Sequence, residues 1–473
     1  MVKYLKLYNL AKYNSWWKYG SRFVDYDADF SNMDTLLDRR LIDVNVGNVY
    51  VLRGIRRSGK TVYVKLLIKR LIERGVDSLK ILYIPCDKLV SRRELRSLIY
   101  DFLGLNPVGN LYIVLDEVTY LPEWYLVVKE FAESRDIDRM AIIATGSNPR
   151  TIKEKTERLP GRRIEGNEYY ARTLSFREFV LDAPITLLWR DRRDIEALRR
   201  ILIGTKFDLD YPDFQIFKKL MPFLDVLDDM LRIYLVTGGF PRTIIDYLKN
   251  GKIDSERYEE IIRLILGDIS KMRRSERIAL GVLRMIVDKP VQRIDFSTIG
   301  RELDVHIDTV RDIIELLEDS SVILTLMAWD IDRRAPYPRR LKKFLLMDPF
   351  LFSALKRYLY GLDFEDMLIE IDKNREFLVE MLVTSTVACH KEIPHLKERW
   401  SFLGYYYDRW GEIDCVYFGK KPIGIEVKYG ERLPKRKHRI DVIYATRDEF
   451  NPRELHIPVA MLLASMEKSN KVI

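Results

Sequence analysis

Short, uninterrupted apolar runs alternate with longer stretches in which apolar positions recur every three or four residues, and this rhythm governs the N-terminal part of the chain. "VYVL" (49–52), "LKILYIPCD" (79–87), "LYIVLDEV" (111–118) and "MAIIATGSNP" (140–149) are too short for helices and too continuous for half-exposed strands. They predict strands buried on both faces. "TVYVKLLIKRLIERG" (61–75) has the helical period and stops at Gly75. Strand–helix alternation of this kind predicts a parallel sheet with any ligand at its C-terminal edge.

The pattern changes farther on. "SERIALGVLRMIVDKP" (275–290) reads as a helix closed by proline, and "DFSTIGRELDV" (295–305) as one opened by Asp295 or Ser297. "HIDTVRDIIELLEDSS" (306–321) places Val310, Ile313, Ile314 and Leu317 on one helical face. "VILTLMAWD" (322–330) then reads as a strand, and the basic "RRAPYPRRLKK" (333–343) as a wing or linker. Three short helices and a strand predict a winged helix-turn-helix. Its third helix carries Asp308, Asp312, Glu315, Glu318 and Asp319 against one Arg311. Acids at that density repel phosphates, so DNA contact is expected instead from Arg333, Arg334, Arg339, Arg340, Lys342 and Lys343.

Candidate chemistry begins where the first strand ends. Gly54-Ile55-Arg56-Arg57-Ser58-Gly59-Lys60-Thr61 is a full G-x-x-x-x-G-K-[ST] match, with Val62 following in the helix. Glycines let backbone N–H groups curl round phosphate oxygens, the helix N-terminus favours negative charge, Lys60 reaches the β- and γ-phosphates, and Thr61 holds Mg²⁺. "LYIVLDEV" ends in Asp116, a Mg²⁺ ligand through water, and Glu117, which polarises the attacking water. Thr145, Ser147 and Asn148 end the next strand as polar groups beside a γ-phosphate.

Composition narrows the setting. At 473 residues, 47% of them hydrophobic, the chain is long enough for two to four domains. No long uncharged apolar run is present, so no membrane span is expected, and the N-terminus lacks a secretory pattern. Cys86, Cys389 and Cys415 are far apart, which points to a reducing cytoplasm. The histidines offer no zinc spacing. The formal charge of +9 collects in clusters, of which "DRRAPYPRRLKK" (332–343) and "RLPKRKHR" (432–439) contain few acids and suit a polyanion.

Residues 12–250 resemble the AAA+ ATPases of archaea and bacteria that carry a C-terminal restriction-endonuclease-like domain. The resemblance rests on "YNSWW" (13–17), the phosphate loop, "LDEV", "ATGSN", "LPGRR" (159–163), "LSFREFV" (174–180) and "TGGFPRTI" (237–244). It implies an α/β chain with a P-loop AAA+ core (1–180), a helical lid (181–272), a winged-helix segment (273–345) and a nuclease-like domain (346–473). It implies ATP and Mg²⁺ as cofactors. By the same likeness Asn148, with Ser147, is the first sensor, Arg162 or its neighbour Arg163 the finger given to another subunit, and Arg242 the second sensor. A finger acting in trans requires a homo-oligomer, a dimer or ring. Trp16 and Trp17 either wall the adenine or plug the N-terminal edge of the core.

"GEIDCVYFGKKPIGIEVKYG" (411–430) reads as a hairpin whose polar face carries Asp414, Glu426 and Lys428. With Glu380, from a helix expected to be amphipathic over 374–390, these residues resemble the PD-(D/E)xK nuclease pattern. Glu380, Asp414 and Glu426 would then hold Mg²⁺ or Mn²⁺, and Lys428 would lower the pKa of a water. A cross-strand ion pair accounts for the same residues without a metal. The reading that follows is ATP hydrolysis coupled to binding, remodelling or processing of DNA, branched DNA included, with a last domain that grips or cleaves it. The alternatives are a nucleotide-operated switch that binds protein, or a defence nuclease licensed by ATP.

Overall fold

The computed structural model describes residues 6–30, 41–146, 167–184, 188, 192–290, 292–390, 402–408, 411–430, 438–470 and 472. The chain divides into two compact units, Met1–Arg172 and Thr173–Val472.

The first unit is built on β1 (Val49–Gly54), α1 (Lys60–Glu73), β2 (Ile81–Pro85), α2 (Arg92–Leu105), β3 (Leu111–Asp116), α3 (Trp124–Glu133), β4 (Met140–Gly146) and β5 (Glu168–Ala171). The strands form one sheet in the order β2-β3-β4-β1-β5, every pair parallel. The apolar runs are continuous because both faces are covered. Val49 and Val51 pack with Leu95, Leu98 and Phe131 of α2 and α3, whereas Tyr50 and Leu52 pack with Val64, Leu67 and Ile68 of α1. The expected parallel sheet is therefore present, an α/β fold consistent with a P-loop AAA+ core.

Trp16 and Trp17 both donate from Nε1 to the carbonyl of Ile81, at 3.1 and 2.8 Å. Ile81 opens β2, the edge strand that β3 and β4 separate from β1, so the two tryptophans plug the N-terminal end of the core there. Next to them Asn14 bonds both backbone groups of Tyr83, at 2.7 and 2.9 Å, and so seals that edge as another strand would.

The second unit opens with α4 (Phe176–Asp182), α5 (Arg192–Ile203), α6 (Ile216–Leu220), α7 (Leu224–Thr237), α8 (Pro241–Asn250) and α9 (Ser255–Lys271). Next come α10 (Glu276–Asp288), α11 (Phe296–Leu303), α12 (Ile307–Asp319), β6 (Ile323–Asp330), β7 (Ala335–Pro336) and β8 (Lys342–Leu346). Asp295 is the α11 cap, accepting the Thr298 N–H at 2.7 Å. Then follow α13 (Pro349–Tyr360), α14 (Phe364–Lys373), α15 (Arg375–His390), β9 (Leu403–Asp408), β10 (Gly411–Phe418), β11 (Pro422–Lys428), β12 (Asp441–Thr446), β13 (His456–Pro458) and α16 (Val459–Ser465).

Three helices followed by antiparallel strands are thus present at 276–346, but β6 does more than a wing strand would. It pairs antiparallel with β8 and parallel with β9, so the strands on either side of the expected 345/346 boundary belong to one sheet, ordered β13-β12-β11-β10-β9-β6-β7 with β8 beside β6. The expected amphipathic character of α15 is not what the structure has: every residue from Phe377 to Cys389 is buried. Strands β8, β10 and β11 and helices α13, α14 and α16 pack around it, leaving no face for water.

Candidate nucleotide site and C-terminal carboxylate cluster

Strand β1 ends at Gly54, where an added Cβ would meet the Ala171 carbonyl oxygen at 1.8 Å, so only glycine fits beside β5. The loop then turns through Arg57 (φ 64°) and Gly59 (φ 87°), both in left-handed conformations, with the Ser58 N–H donating to the Ile55 carbonyl at 3.4 Å. Gly59 is the N-cap of α1, whose first turn is Lys60, Thr61 and Val62. Ile55 and Ser58 are buried in the loop, and Ser58 Oγ is buried with no hydrogen-bond partner. Arg56 reaches sideways to the Tyr120 hydroxyl at 3.0 Å. Lys60 lies back over the loop, its Nζ donating to the Gly54 and Ile55 carbonyls at 3.1 Å each. A phosphate oxygen, being charged, is a stronger partner for that ammonium than either carbonyl.

Asp116 is the hub of the site. Its Oδ2 accepts from Thr61 Oγ1 at 2.9 Å and from the Tyr83 hydroxyl at 2.5 Å, and its Oδ1 accepts from Thr145 Oγ1. Thr145 also accepts the Glu117 N–H at 3.1 Å, which fixes Glu117 in a left-handed conformation (φ 53°) at the strand end. Burial pushes the Asp116 carboxyl above the ordinary aspartate value and the Glu117 charge adds to this, while bonds from Thr145, Tyr83 and Thr61 pull it back. The Thr61 hydroxyl and Asp116 carboxylate beside the loop are oxygen donors of the kind Mg²⁺ takes, and the buried Ser58 hydroxyl is one more group suited to a phosphate. These residues fit a nucleotide triphosphate with its metal.

Residues 46–180 match the family model described as an AAA domain. An AAA-type domain is thus matched across the parallel sheet of the first unit, the match running on into α4. Residues 228–364 match a second family, a domain of unknown function (DUF8612), which spans the interval from α7 to α14. An uncharacterized protein of Haemophilus influenzae is 21% identical over 321 residues, covering 66% of this chain and 69% of its own length. Among solved structures, the Thermotoga maritima RuvB Holliday junction branch migration motor is 14% identical, covering 59% of this chain and 82% of its own, with a TM-score of 0.27. Cdc6p from Pyrobaculum aerophilum is 12% identical over 66% of this chain and 88% of its own, with a TM-score of 0.25. At such TM-scores neither likeness bears on function.

The structure joins Thr61 to Asp116 directly, with Lys60 adjoining the first and Glu117 the second in the chain. Ser147, Asn148, Arg162 and Arg163 lie outside the described residues. Arg242 is exposed in the first turn of α8, in the second unit. Tyr83 was not legible as a site residue: within "LKILYIPCD" it looks like one more core aromatic, and only pairing of β2 with β3 brings its hydroxyl to Asp116.

The C-terminal cluster differs from expectation. Lys343, fully buried on β8, places Nζ 2.9 Å from Glu380 Oε1 and 3.5 Å from Asp414 Oδ1, and pairs also with Glu412. Burial works to discharge Lys343, but the Glu380, Asp414 and Glu412 charges outweigh it and hold the ammonium protonated. Lys343 is therefore not a DNA contact. Nor is Lys342, whose buried side chain donates to the Pro338 and Arg340 carbonyls at 2.8 and 3.1 Å. Arg333, Arg334, Arg339 and Arg340 are exposed.

Asp414 Oδ2 accepts the Val427 N–H at 2.9 Å. Glu426 lies 3.2 Å from Lys428 Nζ through Oε1 and 3.6 Å from His438 Nε2 through Oε2. Among the described residues no group of three or more His, Cys, Asp or Glu side chains is gathered to hold a metal ion. Glu412 and His438 were missed from the sequence. Glu412 was within reach of it, because in a strand it shares the face of Asp414 two residues on. No helix among the described residues is long and apolar enough to cross a membrane.

Proposed function

We propose that the AAA domain binds and hydrolyses ATP, and that the second unit couples this to DNA. The observation that carries the reading is the 2.9 Å bond from Thr61 to Asp116, which joins the phosphate-loop helix to the acidic strand end. The loop N–H groups and Lys60 would bind the phosphates, Thr61 and Asp116 would hold Mg²⁺, and Glu117 would polarise the attacking water. When bound, Mg²⁺ supplies charge for the phosphoryl oxygens. Asn148 serves as first sensor and Arg242 as second, and Arg162 or Arg163 completes a neighbour's site, so the working form is a homo-oligomer. The exposed Arg333, Arg334, Arg339 and Arg340 are the DNA contacts, suited to duplex or branched DNA through its phosphates. Lys60→Ala should abolish ATP turnover in a phosphate-release assay; undiminished turnover in that variant would defeat the reading.

A switch that docks protein is favoured by one feature. The exposed face of α12 carries Asp308 and Asp312, the first 3.3 Å from Arg311 and the second 2.7 Å from Arg274. An acidic third helix suits a basic protein surface better than a major groove. ATPase rates with and without single-stranded, duplex and junction DNA separate the two: stimulation supports the DNA reading, and indifference supports the switch.

A further inference from the structure

We infer that the C-terminal sheet of this protein is a metal-free module, in which the Lys343 ammonium stands where the PD-(D/E)xK resemblance would put a divalent cation. The inference does not depend on ATP hydrolysis in the first unit. Glu380 from α15 and Asp414 from β10 are two of the three ligands that resemblance calls for, and Lys343 lies between them at 2.9 and 3.5 Å. The lysine comes from β8, outside the hairpin and its helix, and its side chain is fully buried.

Glu380 through Oε1 and Asp414 through both oxygens already face protein partners. Asp414 offers Oδ1 to Lys343 and Oδ2 to the Val427 N–H. Glu426 pairs with Lys428 through Oε1, while its buried Oε2 has no hydrogen-bond partner among the described residues and lies 3.6 Å from His438 Nε2. Glu412, the additional acid, is shared between Lys343 and Arg293, the latter at 3.3 Å. Four carboxylates from α15, β10 and β11 thus meet Lys343, Lys428 and Arg293, with His438 beside them. A divalent ion entering this cluster must approach an ammonium that cannot leave, because Lys343 is enclosed and burying it unpaired is costly. Lys343 and Arg293 already pair with Glu380, Asp414 and Glu412, and the cost of burying that ammonium is met on folding.

The geometry also says what the cluster does instead. Lys343 ties β8, which enters the sheet from the helical segment, to α15 and β10 at the centre of the last segment. That is a structural joint, and it leaves the sheet able to hold a partner but without a metal-activated water to cut it.

The test uses the full chain without nucleotide. Mn²⁺ binding is titrated by electron paramagnetic resonance for wild type and Asp414→Asn, and cleavage of single-stranded, duplex and junction DNA is followed in Mg²⁺ and in Mn²⁺. The inference expects the same Mn²⁺ stoichiometry in both proteins and no cutting that Asp414→Asn removes. A Mn²⁺ site or a cutting activity lost in Asp414→Asn overturns it. Loss of ATP binding at the phosphate loop would move neither readout, so the two proposals fail separately.

Discussion

Three hydroxyl groups hold Asp116, and they come from three different elements: Thr61 from α1, Tyr83 from β2 and Thr145 from β4. A carboxylate that must present an oxygen to Mg²⁺ gains from having its orientation set in advance. Tyr83 is itself held by Asn14, so "YNSWW" acts on the site through the backbone of β2. Tyr83→Phe keeps the packing against Trp16 and removes only the hydroxyl. A charge-assisted hydrogen bond contributes about 1.5 kcal/mol, so the Mg²⁺ concentration for half-maximal ATPase should rise about tenfold. Turnover at saturating Mg²⁺ should change little; a Mg²⁺ titration coincident with wild type would remove Tyr83 from the site. The motif residues were legible because phosphate chemistry demands them at fixed spacing. Tyr83 and Lys343 were not, because a Tyr in a buried strand and a Lys in a basic run look alike whether they bond a carboxylate or face water.

At the scale of elements, Asp348 joins parts of the second unit. It caps α13 by accepting the Phe350 N–H at 2.9 Å and reaches the turn between α7 and α8 by accepting the Gly239 N–H at 3.0 Å. Burial pushes its carboxyl up to about 6, against bonds from Thr173, Gly239 and Phe350 and the Lys468 charge. The folded chain therefore keeps a proton that the unfolded chain releases at the ordinary aspartate value. This contribution to stability is complete below about pH 4 and is lost as pH rises through about 6, a change of roughly 3 kcal/mol at most. Denaturant unfolding of wild type and Asp348→Asn should diverge over that window, with the variant lacking this slope. Parallel slopes would show that Asp348 ionises as freely when folded as when unfolded. Caps such as Asp295 were legible from local residue order, as were the helices they open. The burial of α15 and the parallel pairing of β6 with β9 depend on which elements meet, information that periodicity within one segment does not hold.

For the whole molecule, the first and second units are each compact, and the proposed coupling assigns fuel to one and grip to the other. Replacing Arg333, Arg334, Arg339 and Arg340 by Ser should weaken DNA binding and flatten its salt dependence by roughly one unit of log–log slope for each arginine that touches a phosphate. Arg333 already faces Asp330 at 3.7 Å, so the full effect of four is not expected. An unchanged slope would exclude this surface from DNA contact. Everything assigned to the first unit depends on the phosphate loop taking a triphosphate. Calorimetric titration of the full chain with ATP, with and without Mg²⁺, tests this most directly. The account predicts saturable binding that Mg²⁺ tightens and Lys60→Ala removes, with Thr61→Ala losing the Mg²⁺ effect. No binding by the wild-type chain, or equal binding by Lys60→Ala, would contradict it.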